Sequence, residues 1–250
     1  MNGATLLHAS IAPLEKAAHR SIKEDVAEQF ATLIASGVLN VGDTLPSERD
    51  LAATMGVSRE SIRGALLILS TNGIVSVVQG ARTKVASADV GTLGLSALSN
   101  GRVTDYALDD IHDGRLMVEA RVAVLAAERI DDAATAELES LIKAQEAASK
   151  DPVSFLIADR AFHTIVYRAC GNAVLSDLAA TLYSYQLDHR RRAVSMTGAI
   201  AQSIADHRAI RSALVARDAD ALVAAMGVHE RRIYDSTRAL LTPSIQETTP

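Results

Sequence analysis

The sequence predicts a mainly α protein: an N-terminal winged helix-turn-helix followed by an all-helical bundle of six or seven helices. Three observations carry this. Apolar residues recur at helical spacing along most of the chain, punctuated by capping residues. The composition suits helices, with 44 alanines among 250 residues and only 3% aromatics. One short stretch, 74–85, is instead β-branched around a turn.

Residues 1–10 read as a tail. Ile22, Val26, Phe30, Leu33 and Ile34 then fall on one helix face, and Gly37 closes the helix as a C-cap. A polar loop runs from Asn40 through Thr44 to Pro46. Ser47 caps a short helix, with Asp50 three residues on placed to cap in return. Gly56 ends it by adopting the left-handed conformation of a tight turn. Ser58 opens the next helix, 59–72, with Ile62, Leu66 and Leu69 on one face. Residues 74–78 and 83–85 pair as a hairpin across the turn at 79–82.

The text changes after that. Residues 87–104 are rich in Ser, Gly, Ala and Asn and read as a linker. Helical segments follow at about 106–130, 132–149, 152–170, 173–196, 199–216 and 219–241. Their ends carry Asp131, Asp151 before Pro152, Gly171, Gly198 and Asp218. The expected organisation is a winged helix-turn-helix domain at 11–86, the linker, a helical effector-binding and dimerisation domain at 105–241, and a tail at 242–250.

Composition excludes several classes. The single cysteine, Cys170, rules out an intramolecular disulfide framework and a Cys-based zinc finger. A chain that is 48% hydrophobic is not intrinsically disordered. Met1 to His8 lacks the pattern of a signal peptide, and charge interrupts every apolar run before a membrane span. A cytoplasmic protein is expected. The net charge of −5 does not advertise nucleic-acid binding, but it is regional. Residues 1–88 hold 8 basic and 8 acidic side chains, and residues 89–250 hold 17 and 22.

Two constellations carry chemistry. In a helix-turn-helix, the helix at 47–55 braces the helix at 59–72, whose N-terminal end enters a major groove. Ser58, Arg59 and Arg63 would then point at base edges, and arginine's fork matches the two acceptors of guanine. Arg49 could reach a phosphate or base from the side. The hairpin tip would supply Gln79, Gly80 and Arg82 at the minor groove. On the bland reading, these are surface arginines.

The second constellation is Asp159 and His163 at i, i+4 on one helix face, with His207 a further 44 residues on and His229 another 22. Three imidazoles and a carboxylate suit a divalent metal, Zn²⁺ foremost, with Ni²⁺, Mn²⁺ or Fe²⁺ also possible. Arg115 on the first bundle helix could pair with a ligand carboxylate, or structurally with Glu119 at i+4. The run His189-Arg190-Arg191-Arg192 could send one arginine into a cavity, or remain solvated. Cys170 reads as a small buried residue rather than a nucleophile.

Thr44-Leu45-Pro46-Ser47-Glu48-Arg49-Asp50-Leu51-Ala52, then Met55-Gly56-Val57-Ser58-Arg59 and Ile62-Arg63, closely resembles the GntR family of bacterial transcription regulators. The resemblance implies that Arg49, Ser58, Arg59 and Arg63 contact operator DNA. The wing departs from the family's Gly-Arg-Gly-Thr-Phe-Val: here Gly80-Ala81-Arg82-Thr83-Lys84-Val85 lacks the tip arginine, and Arg82 replaces the second glycine. Arg115-Leu116-Met117-Val118-Glu119, Asp159-x-x-Phe162-His163, Gly171-Asn172, Asp206-His207-x-x-Ile210 and Met226-x-x-His229 resemble, in order, the FCD effector domain of the FadR-type subgroup. That implies a divalent metal on Asp159, His163, His207 and His229 beneath a ligand cavity containing Arg115.

The expectation is therefore a non-enzymatic, ligand-responsive regulator. It would bind an operator as a homodimer, act as a repressor, and be released by a small carboxylic acid bound near the metal, with no membrane partner. The competing reading is a metal-dependent hydrolase or lyase with an appended helical domain, since a His/Asp-bound metal can activate water.

Overall fold

The computed structural model describes residues 21–35, 37–77, 82–90, 93, 106–185 and 187–241. The expected N-terminal tail, most of the linker, the hairpin tip and the C-terminal tail lie outside them. The order is α1 (Ile22–Ala35), α2 (Glu48–Met55), α3 (Arg59–Thr71), β1 (Val75–Ser76), β2 (Lys84–Val85), α4 (Leu108–Arg129), α5 (Asp132–Ala147), α6 (Pro152–Ala169), α7 (Ala173–Tyr185), α8 (Leu187–Val194), α9 (Ala199–Ala216) and α10 (Ala219–Leu241).

In the head, α1 packs along α3, and α2 braces α3. Val26, Phe30, Leu33 and Ile34 are buried as their spacing predicts, but Ile22 is 59% exposed. It opens the helix and borders a surface groove that Met55 and Val57 also line. Gly37 takes φ 73° and lets Leu39 N–H return to the Leu33 carbonyl at 3.0 Å. The Ser47 hydroxyl accepts from Asp50 N–H at 3.2 Å. Asp50 does not reciprocate to the backbone, because its carboxylate accepts the Ser47 hydroxyl proton at 2.6 Å instead. Gly56 has φ 64°, and a Cβ there would also lie 2.9 Å from the Glu137 carboxylate of α5.

β1 and β2 pair antiparallel, Val75 opposite Val85 and Ser76 opposite Lys84. The segment expected as a simple polar loop contributes a bridge, Thr44 to Lys84, with Leu45 N–H on the Thr83 carbonyl at 2.8 Å. Leu45 is fully buried, which explains the tether: the loop delivers an apolar anchor to the head's core.

The bundle is centred on α4, which packs against α6, α7, α9 and α10. Asp131 caps α5 by accepting from Ala134 N–H at 2.7 Å. Asp151 caps α6 through Val153 and Ser154 N–H, with Pro152 in the first turn. Asp218 caps α10. The single segment expected at 173–196 is described as two runs, α7 and α8, on either side of Gln186, which lies outside the described residues. α2 packs against α5 and α6, so head and bundle are in contact.

Candidate metal centre and nucleic-acid interface

Asp159 and His163 project from α6, His207 from α9 and His229 from α10, and all four are buried. Their ligand atoms lie within 4.8 Å of one another. His163 Nε2 is 3.2 Å from His229 Nε2, and Asp159 Oδ1 is 3.5 Å from His207 Nε2 and 4.0 Å from His163 Nε2. Bonds of about 2.0–2.2 Å to a shared cation would separate donor atoms by roughly 3–4 Å. The donor set and its spacing therefore fit a divalent metal.

The residues behind the cluster orient it. Gln145 of α5 accepts from His207 Nδ1 at 2.7 Å, which turns Nε2 toward the centre. His229 Nδ1 faces the Asp206 carboxylate at 3.5 Å, and Arg232 also engages Asp206. Burial would raise the Asp206 pKa, but His229 and Arg232 together hold it below the usual carboxylate range. The Tyr183 hydroxyl donates to Asp159 Oδ2 at 2.5 Å, leaving Oδ1 on the cluster side. The Phe162 ring stacks on His207, centroids 4.3 Å apart. Sequence reasoning did not assign Gln145, Asp206 or Tyr183. Asp206 had a local signal, lying beside His207, whereas Gln145 and Tyr183 come from other helices and left none.

A cavity of about 460 Å³ reaches the cluster from the α8–α9 turn, lined among others by Met196, Gly198, Ser203, Asp206, His229 and Arg232. Arg115 lies elsewhere, fully buried between two carboxylates. Its Nη2 donates to Glu119 Oε1 at 2.7 Å and its Nη1 lies 2.8 Å from Glu230 Oε2. Burial opposes the charge, but Glu119 and Glu230 outweigh it and keep the Arg115 pKa well above the ordinary value. The structural pairing with Glu119 is thus present. Glu119 also accepts from the Tyr167 hydroxyl at 2.7 Å, and burial together with that carboxylate pushes the Tyr167 pKa well up. Arg115 sits 5.6 Å from the Tyr183 ring centre, so one tyrosine links this ionic knot to Asp159.

In the head, α3 buries Ile62, Ala65, Leu66 and Leu69 and exposes Arg59, Arg63 and Leu67 at i, i+4, i+8. The Ser58 hydroxyl accepts from Ser61 N–H at 3.0 Å, so it caps the helix. Arg63 pairs with Glu48 of α2 at 2.9 Å, which raises its pKa, and Arg49 pairs with Asp50 at 3.3 Å. Arg82 is exposed, while Gln79 and Gly80 lie outside the described residues. From the cationic run, Arg191 turns to the head rather than to a cavity, bonding Asp43 and the Val38 carbonyl. The side chains of His189 and Arg190 lie outside the described residues. Cys170 is buried, its sulfur near the backbone of Asn172.

Residues 22–85 match the family described as "Bacterial regulatory proteins, gntR family", and residues 110–232 match "FCD domain". The "HTH-type transcriptional regulator Mce2R" of Mycobacterium tuberculosis is 36% identical over 144 residues, 56% of this chain and 60% of that protein. The match with that relative therefore covers less than two thirds of its length. The "HTH-type transcriptional repressor NanR" of Cronobacter sakazakii is 28% identical over 231 residues, 89% of this chain and 88% of that one. Among solved structures, E. coli McbR/YncC superposes with a TM-score of 0.54 at 19% identity, covering 89% of this chain and all of that one, a likeness of fold. No described helix is long and apolar enough to cross a membrane.

Proposed function

The chain belongs to the GntR family of bacterial regulatory proteins and carries an FCD domain, and from this we propose that it is a ligand-responsive transcription regulator binding operator DNA through α3. The observation that carries the reading is the exposed stripe Arg59, Arg63 and Leu67, opposite a face locked onto α1. Arginine forks suit guanine, and an apolar side chain suits a thymine methyl. Arg49, Ser58 and the wing residues Gln79, Gly80 and Arg82 complete the proposed interface, with Ser58 acting through the helix cap. One such helix spans a half-site, so the protein would act as a homodimer on a two-fold operator. The residues 11–86 would form the DNA-binding domain and 105–241 the sensing and dimerisation domain.

Asp159, His163, His207 and His229 would hold a divalent cation, Zn²⁺ foremost, with Ni²⁺, Mn²⁺ and Fe²⁺ also suited to this donor set. When bound, the cation supplies a Lewis-acidic anchor for an oxygen ligand. The effector would be a small carboxylic acid seated in the adjoining cavity, where Arg232 and Ser203 can orient it. Arg115 would join it only by releasing Glu119 or Glu230. The effector must bind one arrangement of the heads better than the other. The name of the NanR relative, a transcriptional repressor, favours repression. The enzymatic alternative loses ground to a family of regulatory proteins.

The test is operator binding by an Arg59→Ala/Arg63→Ala variant. DNA binding should vanish while metal content and helicity stay at wild-type levels. Normal binding by that variant would overturn the assignment of α3.

A further inference from the structure

Arg160 follows Asp159 on α6, so its side chain leaves the helix about 100° around from the metal cluster. It lines a separate groove of about 430 Å³ between α1 of the head and α6 and α7 of the bundle. Its Nε and Nη1 are shielded from solvent and meet no hydrogen-bond acceptor. Among the described residues no carboxylate lies within 4.0 Å of its guanidinium. A guanidinium stays charged in a protein, and a shielded charge without a counterion is unfavourable. The position therefore asks for an anion.

The rest of the lining sets the class of that anion. Thr164, Thr181 and Ser184 border the groove. Each hydroxyl donates its proton to the carbonyl four residues back, at 2.8 Å in each case. These oxygens can then meet a ligand only as acceptors, and so they favour a ligand rich in hydroxyl donors. Arg168 adds a second cation, while Asp25, Glu28 and Asp177 add three carboxylates. Glu28 is the carboxylate whose field reaches Arg160. That surplus of acid disfavours a doubly charged phosphate more than a single carboxylate, which Arg160 can meet alone.

We propose that this groove is a second small-molecule site, binding a monoanionic hydroxy acid with its carboxylate on Arg160 and its hydroxyls on the threonine and serine oxygens. The site is distinct from the metal cluster and lies against both head and bundle. An occupant therefore holds α1 and α6 in one relative position.

The experiment is calorimetric titration of the full-length, metal-loaded protein with glycolate, D-gluconate and inorganic phosphate. At least one hydroxy acid should bind, and phosphate at least tenfold more weakly. Arg160→Met should weaken the acid at least tenfold, and Arg160→Lys should recover part of the loss. Glu28→Gln should tighten it several-fold by removing a competing carboxylate. His207→Ala, which disrupts the metal cluster, should change it by no more than a few-fold. The proposal is overturned if neither acid binds, if phosphate binds best, or if Arg160→Met and Arg160→Lys both bind as wild type does. It is also overturned if Glu28→Gln weakens binding, since Glu28 would then be supporting the site rather than competing. Loss in His207→Ala alone would assign the acid to the metal cavity and sustain only the earlier reading.

Discussion

Arg191 of the bundle holds Asp43 of the head, 148 residues away, with its guanidinium fork. Nη2 donates to Asp43 Oδ1 at 3.0 Å and Nη1 reaches Oδ2, while Nη1 also donates to the Val38 carbonyl at 2.7 Å. Val38 and Asp43 flank the turn that follows α1, so the clamp ties that turn of the head to α8 of the bundle. Two further residues of α8, Ala193 and Val194, line the cavity that reaches His229. The same short helix thus touches both the cavity at His229 and the helix-turn-helix head.

Breaking this clamp should uncouple the two parts. Arg191→Ala and Asp43→Asn should each lower stability by about 1 kcal/mol, as expected for a bidentate pair that is partly shielded. The double variant should cost little more than either single one. Chemical denaturation of the four proteins checks this, and strict additivity would show the residues to be independent.

The same pair fixes a pH dependence. The hydrogen bond from Arg191 lowers the Asp43 pKa below its unperturbed value of 3.8. A depressed carboxylate stabilises the fold above its unfolded pKa, and that contribution is lost as pH falls through the folded one. The stability gap between wild type and Asp43→Asn should therefore be constant from neutral pH down to about 5 and close below about 4. Denaturation midpoints across that range report it.

Arg115 makes a different prediction, because it is fully buried between Glu119 and Glu230. Arg115→Ala strands two buried carboxylates and should destabilise the ligand-free protein by about 3–5 kcal/mol. A residue serving only an effector would leave the ligand-free melting temperature untouched. Lysine should rescue little, since one ammonium cannot span both partners.

Gln145 touches His207 rather than the cluster centre. Gln145→Ala should weaken metal binding about 10–100-fold without abolishing it. Competition against a chelator measures the shift. Removing the metal should lower the melting temperature of wild type, because the cation binds only the folded cluster.

On the head, Glu48 of α2 pairs with Arg63 of α3 at 2.9 Å. Glu48→Gln should strengthen operator binding, by releasing the arginine and removing a charge that repels phosphate. Ser58→Ala should weaken binding and also cost about 1 kcal/mol of stability, because Ser58 caps α3. The affinity should fall only modestly with salt, since residues 1–88 carry no net charge. Fluorescence anisotropy at several salt concentrations tests the three binding effects, and chemical denaturation tests the stability of Ser58→Ala.

What could be read from the sequence was local. Helix spacing placed α1 to α3, and capping residues such as Asp131 and Asp151 marked where bundle helices begin. Asp159 and His163 declared a shared face by being four apart. That His207 and His229 join them needed a family pattern, because convergence across helices leaves no periodic trace. Long-range partners were silent for the same reason. Nothing near Arg191 in the chain points to Asp43, and nothing near His207 points to Gln145. Thr44 looked like loop because one residue bridging to Lys84 has no alternation to announce it. Ile22 fitted the apolar stripe yet is 59% exposed, since spacing gives a face but not which of its positions a neighbour covers.

α6 is one rigid rod of 18 residues, and it carries Asp159 and His163 on one flank and Arg160 on another. A side chain's working atoms sit roughly 6 Å from a helix axis, so a roll of about 10° swings them about 1 Å. The rod behaves like a crankshaft. Anything that seats Asp159 and His163 on a cation would also turn Arg160 against the head, and a torque from the head would act in the opposite direction. Seating the head on its operator would therefore retune the cluster's grip on its ion, so DNA should register as a change in metal affinity.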